Sequence, residues 1–264
     1  MLNFPNAKIN LGLHITEKRK DGYHNIDSCF YPIPMKDILE IVDAEESRLI
    51  TKGLSIPGDP QNNLIWKAFQ MIRTDFTIPE QEILLYKNIP MGAGMGGGSA
   101  DGAFMLTLMN QKFKLGLNIA ELEAYALQLG SDCPFFIQNQ PKHVMGRGEI
   151  LNNIEIDLSG WHLALVFPGI HIGTKEAYAG ITPNKNRASV KEIIEGKAIA
   201  DWKNELMNDF EASVFNSYPQ LAEIKTKLYE AGATYAAMTG SGSTLFGIFK
   251  EQQDIAYVDQ WLAL

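Results

Sequence analysis

The sequence predicts a folded protein that combines β-strands with α-helices. Its 264 residues are enough to bury a substantial core in one or two domains. A hydrophobic share of 45% and a charged share of 20% are ordinary for a globular chain and far from the composition of disordered segments. Segments with the two-residue alternation of strands and segments with helical spacing both recur along the chain. These observations favour a packed enzyme.

The first strand is predicted at residues 7–15, where apolar and polar side chains alternate. This pattern is typical of a half-buried strand, and it places Lys8 and Asn10 together on the polar face. A turn signal at 21–22 and a second apolar run at 28–35 follow. Together they predict a hairpin-like reversal.

The remaining segments alternate between the two kinds of element. Glycine or proline punctuates most of the boundaries, as at Gly130, which ends a helix. A soft boundary near residue 158 predicts an N-terminal domain at 1–158 and a C-terminal domain at 159–264. Further strands are predicted at 38–42, 82–90, 143–151, 162–169, 234–239 and 243–249, and helices at 63–73, 99–113, 119–130, 204–216, 219–231 and the C-terminal end.

Charge and hydropathy exclude several classes of partner. The formal net charge is −8, from 31 acidic and 23 basic residues, so no basic field is available for nucleic acid. The N-terminus lacks the pattern of a signal or transit peptide. The longest apolar run, residues 161–167, is much shorter than the ~20 residues that span a bilayer. We therefore expect a cytoplasmic protein without a nucleic-acid or membrane partner.

Cysteine and histidine usage gives no sign of a metal centre. Cys29 and Cys133 are too far apart for a metal knuckle and too few for a disulfide scaffold, and we expect both to be buried thiols. The five histidines show neither HExxH spacing nor a cluster with carboxylates. No protein-held metal is expected.

The strongest functional signal is the glycine-rich run PMGAGMGGGSADG at 90–102, which lies between a predicted strand and a predicted helix. Glycines let backbone N–H groups approach an anion closely, and a helix N-terminus adds unpaired N–H groups and a partial positive charge. Ser99 stands where a hydroxyl caps the helix or reaches a phosphate or its metal ion. The run predicts a phosphate-binding loop.

Other glycine fingerprints fit this run less well. Gly92, Gly94 and Gly97 match GxGxxG, but a dinucleotide site needs an acidic residue about 20 positions on, where only Lys112 and Lys114 stand out. The loop contains no lysine and so lacks the Walker pattern, and no HRD or DFG segment follows. A flexible surface loop is disfavoured by the apolar strand and helix on either side.

Three ordered segments together resemble the motifs of the GHMP kinases. They are AKINLGL at 7–13, PMGAGMGGGSADGA at 90–103 and MTGSGSTLFG at 238–247. The resemblance implies an α+β, two-domain GHMP kinase fold, with an N-terminal domain like ribosomal protein S5 domain 2 and a ferredoxin-like C-terminal domain. It also implies ATP as phosphoryl donor, with Mg²⁺ arriving on the nucleotide. The departures are Asn6, between Pro5 and Ala7, and Met95, where leucine is usual; neither touches a reacting group.

Two further segments narrow the resemblance to one kind of GHMP kinase. DGYHNI at 21–26 and LGSDCPFF at 129–136 are similar to members that phosphorylate the 2-hydroxyl of a diphosphocytidyl sugar alcohol in the non-mevalonate isoprenoid precursor pathway. The implied partner is a small-molecule substrate, and the oligomeric state stays undetermined.

The same resemblance implies the site residues. Asp132 would take the proton of the substrate hydroxyl, and Lys8 would hold Asp132 ionised and stabilise the transferring group. Taken alone, Asp132 would be interpreted as a helix-capping or turn aspartate, and Lys8 as a solvated lysine on a strand. The implied ATP-binding residues are Pro90, Met91, Gly92, Ala93, Gly94, Met95, Gly96, Gly97, Gly98, Ser99 and Ala100, together with Asn63, Leu64 and Lys87, which match positions around the adenine. The implied substrate-binding residues are Asn10, Tyr23, His24, Thr174, Tyr178, Gly240 and Ser241.

Several alternatives stay open at this stage. Tyr178 is as well explained by simple packing, and residues 240–242 by a hairpin turn, as by substrate contact. Homoserine kinases, mevalonate-type kinases and a diphosphate decarboxylase share the fold. A non-catalytic nucleotide-binding regulator would keep the glycine loop but lose the Lys8 and Asp132 pair, which is intact here. The missing ribose acid disfavours an oxidoreductase.

Overall fold

The computed structural model describes residues 1–264 and contains twelve strands. They fall into three four-stranded sheets, as the alternating segments of the sequence require. The strands are β1 (Leu2–Asn3), β2 (Asn6–Lys18), β3 (His24–Lys36), β4 (Ile38–Asp43), β5 (Arg48–Gly53), β6 (Gln81–Lys87), β7 (Lys142–Gly146), β8 (Ile150–Asn153), β9 (His162–Val166), β10 (Tyr235–Met238), β11 (Leu245–Phe249) and β12 (Gln260–Ala263).

Eight α-helices and two short 3₁₀ segments, Pro60–Asn62 and Ile199–Asn204, complete the fold. The helix ends carry the expected signals, such as the capping box of Asn118 and Glu121 at the third helix. The helices are α1 (Leu64–Asp75), α2 (Gly97–Phe113), α3 (Ile119–Leu129), α4 (Phe135–Gln138), α5 (Thr174–Ala179), α6 (Val190–Gly196), α7 (Phe210–Ser217) and α8 (Pro219–Glu230).

One compact unit comprises residues 1–7, 35–91 and 96–140. Its sheet has the order β1-β4-β6-β5, with β5 parallel to β6 and the other pairs antiparallel. Helices α1–α4 belong to the same unit. Because α2 is apolar on nearly all sides, it is largely buried, and Met105 and Leu106 are fully inside.

The other unit comprises residues 8–34, 92–95 and 141–264. It contains the sheet β2-β3-β7-β8, apart from the strand ends that belong to the first unit, and the antiparallel sheet β10-β11-β9-β12. Its core includes Trp202, Tyr235 and Phe246, whose rings pack edge to face or tilted. Residues 92–95 of the glycine run thus belong to this unit, and residues 96–102 to the first.

Most predicted elements are confirmed, and three are wrong. The single strand predicted at 143–151 is the β7–β8 hairpin, in which Gly146 adopts a φ of +70°. The C-terminal helix is instead β12, which pairs with β9 in antiparallel register. The helix predicted from residue 204 begins only at Phe210, after a 3₁₀ segment and the buried Asn208.

The burial predicted for the first strand is also wrong. Residues 6–15 of β2 are buried on both faces, and Lys8 and Asn10 are only 3% and 1% exposed. The prediction of two buried, unpaired thiols at Cys29 and Cys133 is confirmed. No helix has the length and apolar character needed to cross a membrane. The division into domains at residue 158 stays a prediction.

Candidate active site

Lys8 is held inside the second unit by oxygen atoms and an aromatic face. Its Nζ atom lies 2.6 Å from Asn10 Oδ1 and 3.1 Å from the carbonyl oxygen of Gly94. The ammonium also lies 4.5 Å from the centroid of the Phe30 ring, a cation–π geometry. These contacts hold a buried cation beside Gly94 of the glycine run. A phosphate group bound there would need such a positive charge.

Asn10 connects this lysine to the third motif. Its Oδ1 atom accepts from the Lys8 ammonium and from the backbone N–H of Gly240, at 3.0 Å, and its Nδ2 donates to Ser28 Oγ at 2.9 Å. The carboxamide therefore binds protein groups on both of its polar atoms. Asn10 was expected to contact substrate, and this expectation stays a prediction; its observed contacts orient Lys8.

The glycine run and the third motif touch backbone to backbone, which only glycine permits at two positions. Gly94 has a φ of +78°, and a Cβ there would lie 2.1 Å from the carbonyl oxygen of Thr239. Gly240 has a φ of +56°, and its Cβ would lie 2.8 Å from Gly94 O. The segment around Gly240 and Ser241 is indeed the β10–β11 hairpin turn, and it supports the glycine run as well.

The first unit presents an uncapped helix N-terminus at the end of the glycine run. Gly96 adopts a left-handed conformation and α2 begins at Gly97, with no side chain bonding to the first-turn N–H groups. A Cβ on Gly98 would meet nothing nearer than Met91 Cε at 3.9 Å, so the backbone here is open to an approaching group. Unpaired N–H groups and the positive end of a 17-residue helix suit the phosphates of ATP.

Asp132 lies in the turn that follows α3, in the same unit. The turn is closed by a hydrogen bond from Cys133 N to Gly130 O at 3.2 Å. Burial raises the pKa of the Cys133 thiol to about 12, against the effect of a hydrogen bond from the Ser99 side chain, while the nearby Asp132 charge acts in the same direction as burial. Through Cys133 and Ser99, the turn that carries Asp132 is tied to the first turn of α2.

Lys87, expected near adenine, lies in a buried ion cluster. Its Nζ pairs with Asp37 and lies 2.8 Å from Asp101 Oδ2, and its side chain is fully enclosed. Asp37 also accepts from the N–H groups of Asn88 and Ile89, at 2.6 Å and 2.9 Å. The cluster therefore holds the end of β6 against the second turn of α2, which is a structural role; contact with adenine stays a prediction.

Asn63 and Leu64 lie where α1 meets the same helix. Asn63 caps α1, because its Oδ1 accepts from Ile65 N at 2.9 Å. A Cβ on Gly102 would lie 3.0 Å from Leu64 Cβ, so α1 and α2 approach closely there. Three expected adenine contacts, Asn63, Leu64 and Lys87, are thus all near the beginning of α2, in one unit.

The ion cluster predicts a pH-dependent stability. Burial raises the pKa of Asp101 from its ordinary 3.8 to about 7; the Lys87 charge opposes this shift, and the Asp37 charge adds to it. A raised folded-state pKa means that the native protein holds this proton more tightly than the unfolded chain does. As the pH rises from about 4 to about 7, wild type should therefore lose free energy of unfolding relative to Asp101→Asn, which cannot titrate.

Urea unfolding of both proteins at a series of pH values measures this difference. The exposed Asp254→Asn is the control, and its unfolding free energy should follow wild type across the same range. A constant difference between wild type and Asp101→Asn from pH 4 to pH 7 would contradict the prediction.

Aromatic side chains gather in the second unit at the positions expected to bind a base. His24 stacks on Tyr178 with ring centroids 4.7 Å apart and an interplanar angle of 19°, and Phe210 meets Tyr178 edge to face at 4.8 Å. Tyr23 is 57% exposed, with the Arg147 guanidinium 4.9 Å from its ring centroid. These flat surfaces suit a nucleobase.

The protonation of His24 and the position of Thr174 also bear on this aromatic cluster. Burial, and after it the Lys18 charge, lowers the pKa of His24 from 6.5, so its imidazole is neutral at pH 7 and offers one donor and one acceptor. Thr174 begins the short helix that ends just after Tyr178. Contact of Tyr23, His24, Thr174 and Tyr178 with substrate stays a prediction.

Sequence reasoning missed several residues that organise the site. Asn208 is 2% exposed, and its Nδ2 donates to the carbonyl oxygens of Met238 and Gly240, at 2.7 Å and 2.8 Å. Glu211 accepts from Met238 N at 2.8 Å. The available signal was the segment NDFE at 208–211, where three polar residues flank a single apolar one within the predicted helix. No local pattern in the sequence indicated that Asp37 and Asp101 would pair with Lys87, because these contacts arise from tertiary packing.

Comparisons with known proteins agree with the motifs. The model of the GHMP kinases N terminal domain matches residues 63–140, and that of the GHMP kinases C terminal domain matches residues 190–259. A 4-diphosphocytidyl-2-C-methyl-D-erythritol kinase of Bacteroides fragilis is 50% identical over 98% of this chain and 96% of its own length. A kinase of the same name from Azobacteroides pseudotrichonymphae is 51% identical over 95% of this chain and 94% of its own.

Solved structures agree with the fold. A crystal structure of 4-(cytidine 5'-diphospho)-2C-methyl-D-erythritol kinase superposes with a TM-score of 0.80 and 29% identity, covering 94% of this chain and 90% of that one. A homoserine kinase from Cytophaga hutchinsonii reaches a TM-score of 0.66 at 15% identity, over 95% and 85% of the two chains, which reflects a shared fold. The predicted α+β, two-domain kinase fold is confirmed. This chain belongs to the GHMP kinases, a family of small-molecule kinases, and within them to the 4-diphosphocytidyl-2-C-methyl-D-erythritol kinases.

Proposed function

We propose that this protein transfers the γ-phosphoryl group of ATP to the 2-hydroxyl of 4-diphosphocytidyl-2-C-methyl-D-erythritol, giving the 2-phosphate and ADP in the non-mevalonate isoprenoid precursor pathway. The observation that carries this proposal is about 50% identity to kinases of that name along almost the whole chain. The aromatic cluster of His24 and Tyr178 supports a substrate that carries a base.

The transfer would use groups already described. The substrate hydroxyl oxygen forms a bond to the γ-phosphorus while the bond from that phosphorus to the bridging oxygen of ADP breaks. Asp132 would accept the hydroxyl proton, and the Lys8 ammonium would balance the charge on the transferring group. The first-turn N–H groups of α2 would hold phosphate oxygens of the nucleotide.

Magnesium would neutralise charge on the phosphates of the nucleotide. No group of three or more His, Cys, Asp or Glu side chains is arranged to hold an ion. A magnesium ion would therefore be held mainly by the nucleotide that brings it, and Ser99, in the first turn of α2, would offer it a hydroxyl. The cytoplasmic location and the lack of a nucleic-acid partner also stay predictions of the sequence.

A substrate panel tests the proposed function. Purified protein is supplied with ATP and Mg²⁺ and, in turn, with the diphosphocytidyl sugar alcohol, homoserine or mevalonate, and ADP formation is followed. We expect turnover with the cytidyl substrate alone, because its base has stacking surfaces available in this chain. Equal turnover on homoserine or mevalonate would contradict the substrate assignment. No turnover on any of the three acceptors would favour a non-catalytic nucleotide-binding protein.

A further inference from the structure

Thr239 lies within the third motif but is not among the predicted site residues, and its side chain contacts the groups that hold Lys8. It is fully buried in the second unit, directly after β10. Its hydroxyl oxygen lies 3.2 Å from Asn10 Oδ1 and 3.2 Å from Gly94 O, and it accepts a hydrogen bond from Asn10 N at 3.0 Å. The hydroxyl therefore contacts residues of the first motif and of the glycine run.

The two oxygens that Thr239 contacts are the same two that hold the ammonium of Lys8. Lys8 Nζ lies 2.6 Å from Asn10 Oδ1 and 3.1 Å from Gly94 O. The one hydroxyl proton of Thr239 can bond to either oxygen, while its lone pair fixes the backbone of Asn10. The hydroxyl thus constrains the strand, the carboxamide and the carbonyl that together set where the ammonium sits.

The hairpin that carries Thr239 is fixed by hydrogen bonds to its backbone. Asn208 Nδ2 binds the carbonyl oxygens of the residues on either side of Thr239, and Thr239 N donates to Thr244 O at 3.0 Å. A side chain has little freedom to move when the backbone on both sides of it is held by hydrogen bonds. Thr239 is accordingly a rigid reference point for the lysine.

The geometry points to Thr239 as a positioning residue for phosphoryl transfer: its hydroxyl orients the Asn10 carboxamide and the Gly94 carbonyl, and through them the ammonium of Lys8. The inference rests on the proposed function, in which that ammonium balances charge on the transferring group. Because a displacement of about 1 Å in a catalytic group costs on the order of 100-fold in rate, loss of the hydroxyl should act mainly on kcat.

The test compares three variants with the wild-type protein. Thr239→Val removes the hydroxyl and keeps the shape, while Thr239→Ser restores a hydroxyl. Thr244→Val is the matched control, because Thr244 is fully buried in the same turn but its hydroxyl has no hydrogen-bond partner. We expect Thr239→Val to lower kcat roughly 10- to 100-fold while KM for ATP and for the acceptor change by less than about threefold. Thr239→Ser and Thr244→Val should stay within about threefold of wild type in kcat.

Thermal unfolding separates positioning from simple stabilisation. If Thr239 only satisfies a buried N–H group, Thr239→Val would lower Tm but keep the kcat of the folded enzyme, and that result would overturn the inference. Equal loss of kcat in Thr239→Ser and Thr239→Val would overturn it too, since serine keeps the hydroxyl. A loss of kcat in Thr244→Val equal to that in Thr239→Val would also overturn the inference, because any change of side chain in this turn would then have the same effect.

A measurement without substrate keeps this inference distinct from the proposed function. The amide proton of Asn10, followed by NMR in ¹⁵N-labelled protein, should move upfield in Thr239→Val, where it loses its acceptor, and stay near its wild-type position in Thr239→Ser. Failure of wild type to phosphorylate the cytidyl substrate would refute the proposed function alone. An unchanged Asn10 signal in Thr239→Val, or wild-type kcat in that variant, would refute the role of Thr239.

Discussion

Replacing Asp132 with asparagine is expected to lower kcat by at least ~10³-fold while the affinity for ATP stays within a few-fold of wild type. Asparagine has nearly the same shape but cannot accept the proton of an attacking hydroxyl. The turn around Asp132 is closed by the hydrogen bond from Cys133 N to Gly130 O, and Cys133 is fully buried, so the amide should occupy the place of the carboxylate. Steady-state kinetics and titration with a fluorescent ATP analogue measure the two quantities.

The exposed Asp254→Asn is the control for a change of one charge, and it should leave kcat unchanged. A kcat for Asp132→Asn within tenfold of wild type would remove Asp132 from the role of base. Weakened binding of the ATP analogue in proportion to kcat would assign Asp132 to nucleotide binding instead.

Replacing Lys8 with methionine is expected to lower kcat on the order of 10²- to 10³-fold. Methionine keeps most of the length of the side chain and its contact with the Phe30 ring, but it removes the charge that lies beside Asn10 Oδ1 and Gly94 O. A cation placed in advance in a water-poor site stabilises the transition state more strongly than the ground state, so the loss should fall on kcat more than on KM.

Lys227→Met provides the control, since Lys227 is an exposed lysine on α8. It should keep wild-type kinetics. Lys8→Arg keeps the charge but not the geometry, and intermediate activity is expected. If Lys8→Met retained kcat while KM for ATP rose, the lysine would be a binding group and not a group that stabilises the transition state.

The sequence predicted most elements where a local signal existed. The alternation of residues 7–15 identified β2, and the spacing at 63–73 identified α1. It failed where distant strands decide the outcome. Residues 255, 258 and 262 near the C-terminal end are apolar at helical spacing, yet Leu262 pairs with Leu163 of β9, and the hydrogen bonds of that ladder prevail over a weak local preference.

The site shows the same division. A helix that begins within the glycine run was predictable, because a strand, a run of glycines and an apolar helix follow one another directly along the chain. Phosphate binding by its N–H groups stays a prediction. The burial of Lys8 and Asn10 was not predictable, because alternation along one strand does not reveal that its polar face is also covered. The aromatic residues Tyr23, His24 and Tyr178 were suggested by motif likeness, but the stacking of His24 on Tyr178 requires two segments about 150 residues apart to meet.

By itself, the sequence determined the family and the order of its motifs, because each motif is a short run of neighbouring residues. It also predicted a helix after the glycine run, although from residue 99 and not from Gly97, where α2 begins. Only the tertiary structure decided how Lys8 is held. Asn10 and Thr239 are 229 positions apart, and their hydrogen bonds exist because strand register and the close approach of two glycine backbones bring them together. Contacts of this kind depend on packing over the whole unit, which no local pattern of residues encodes.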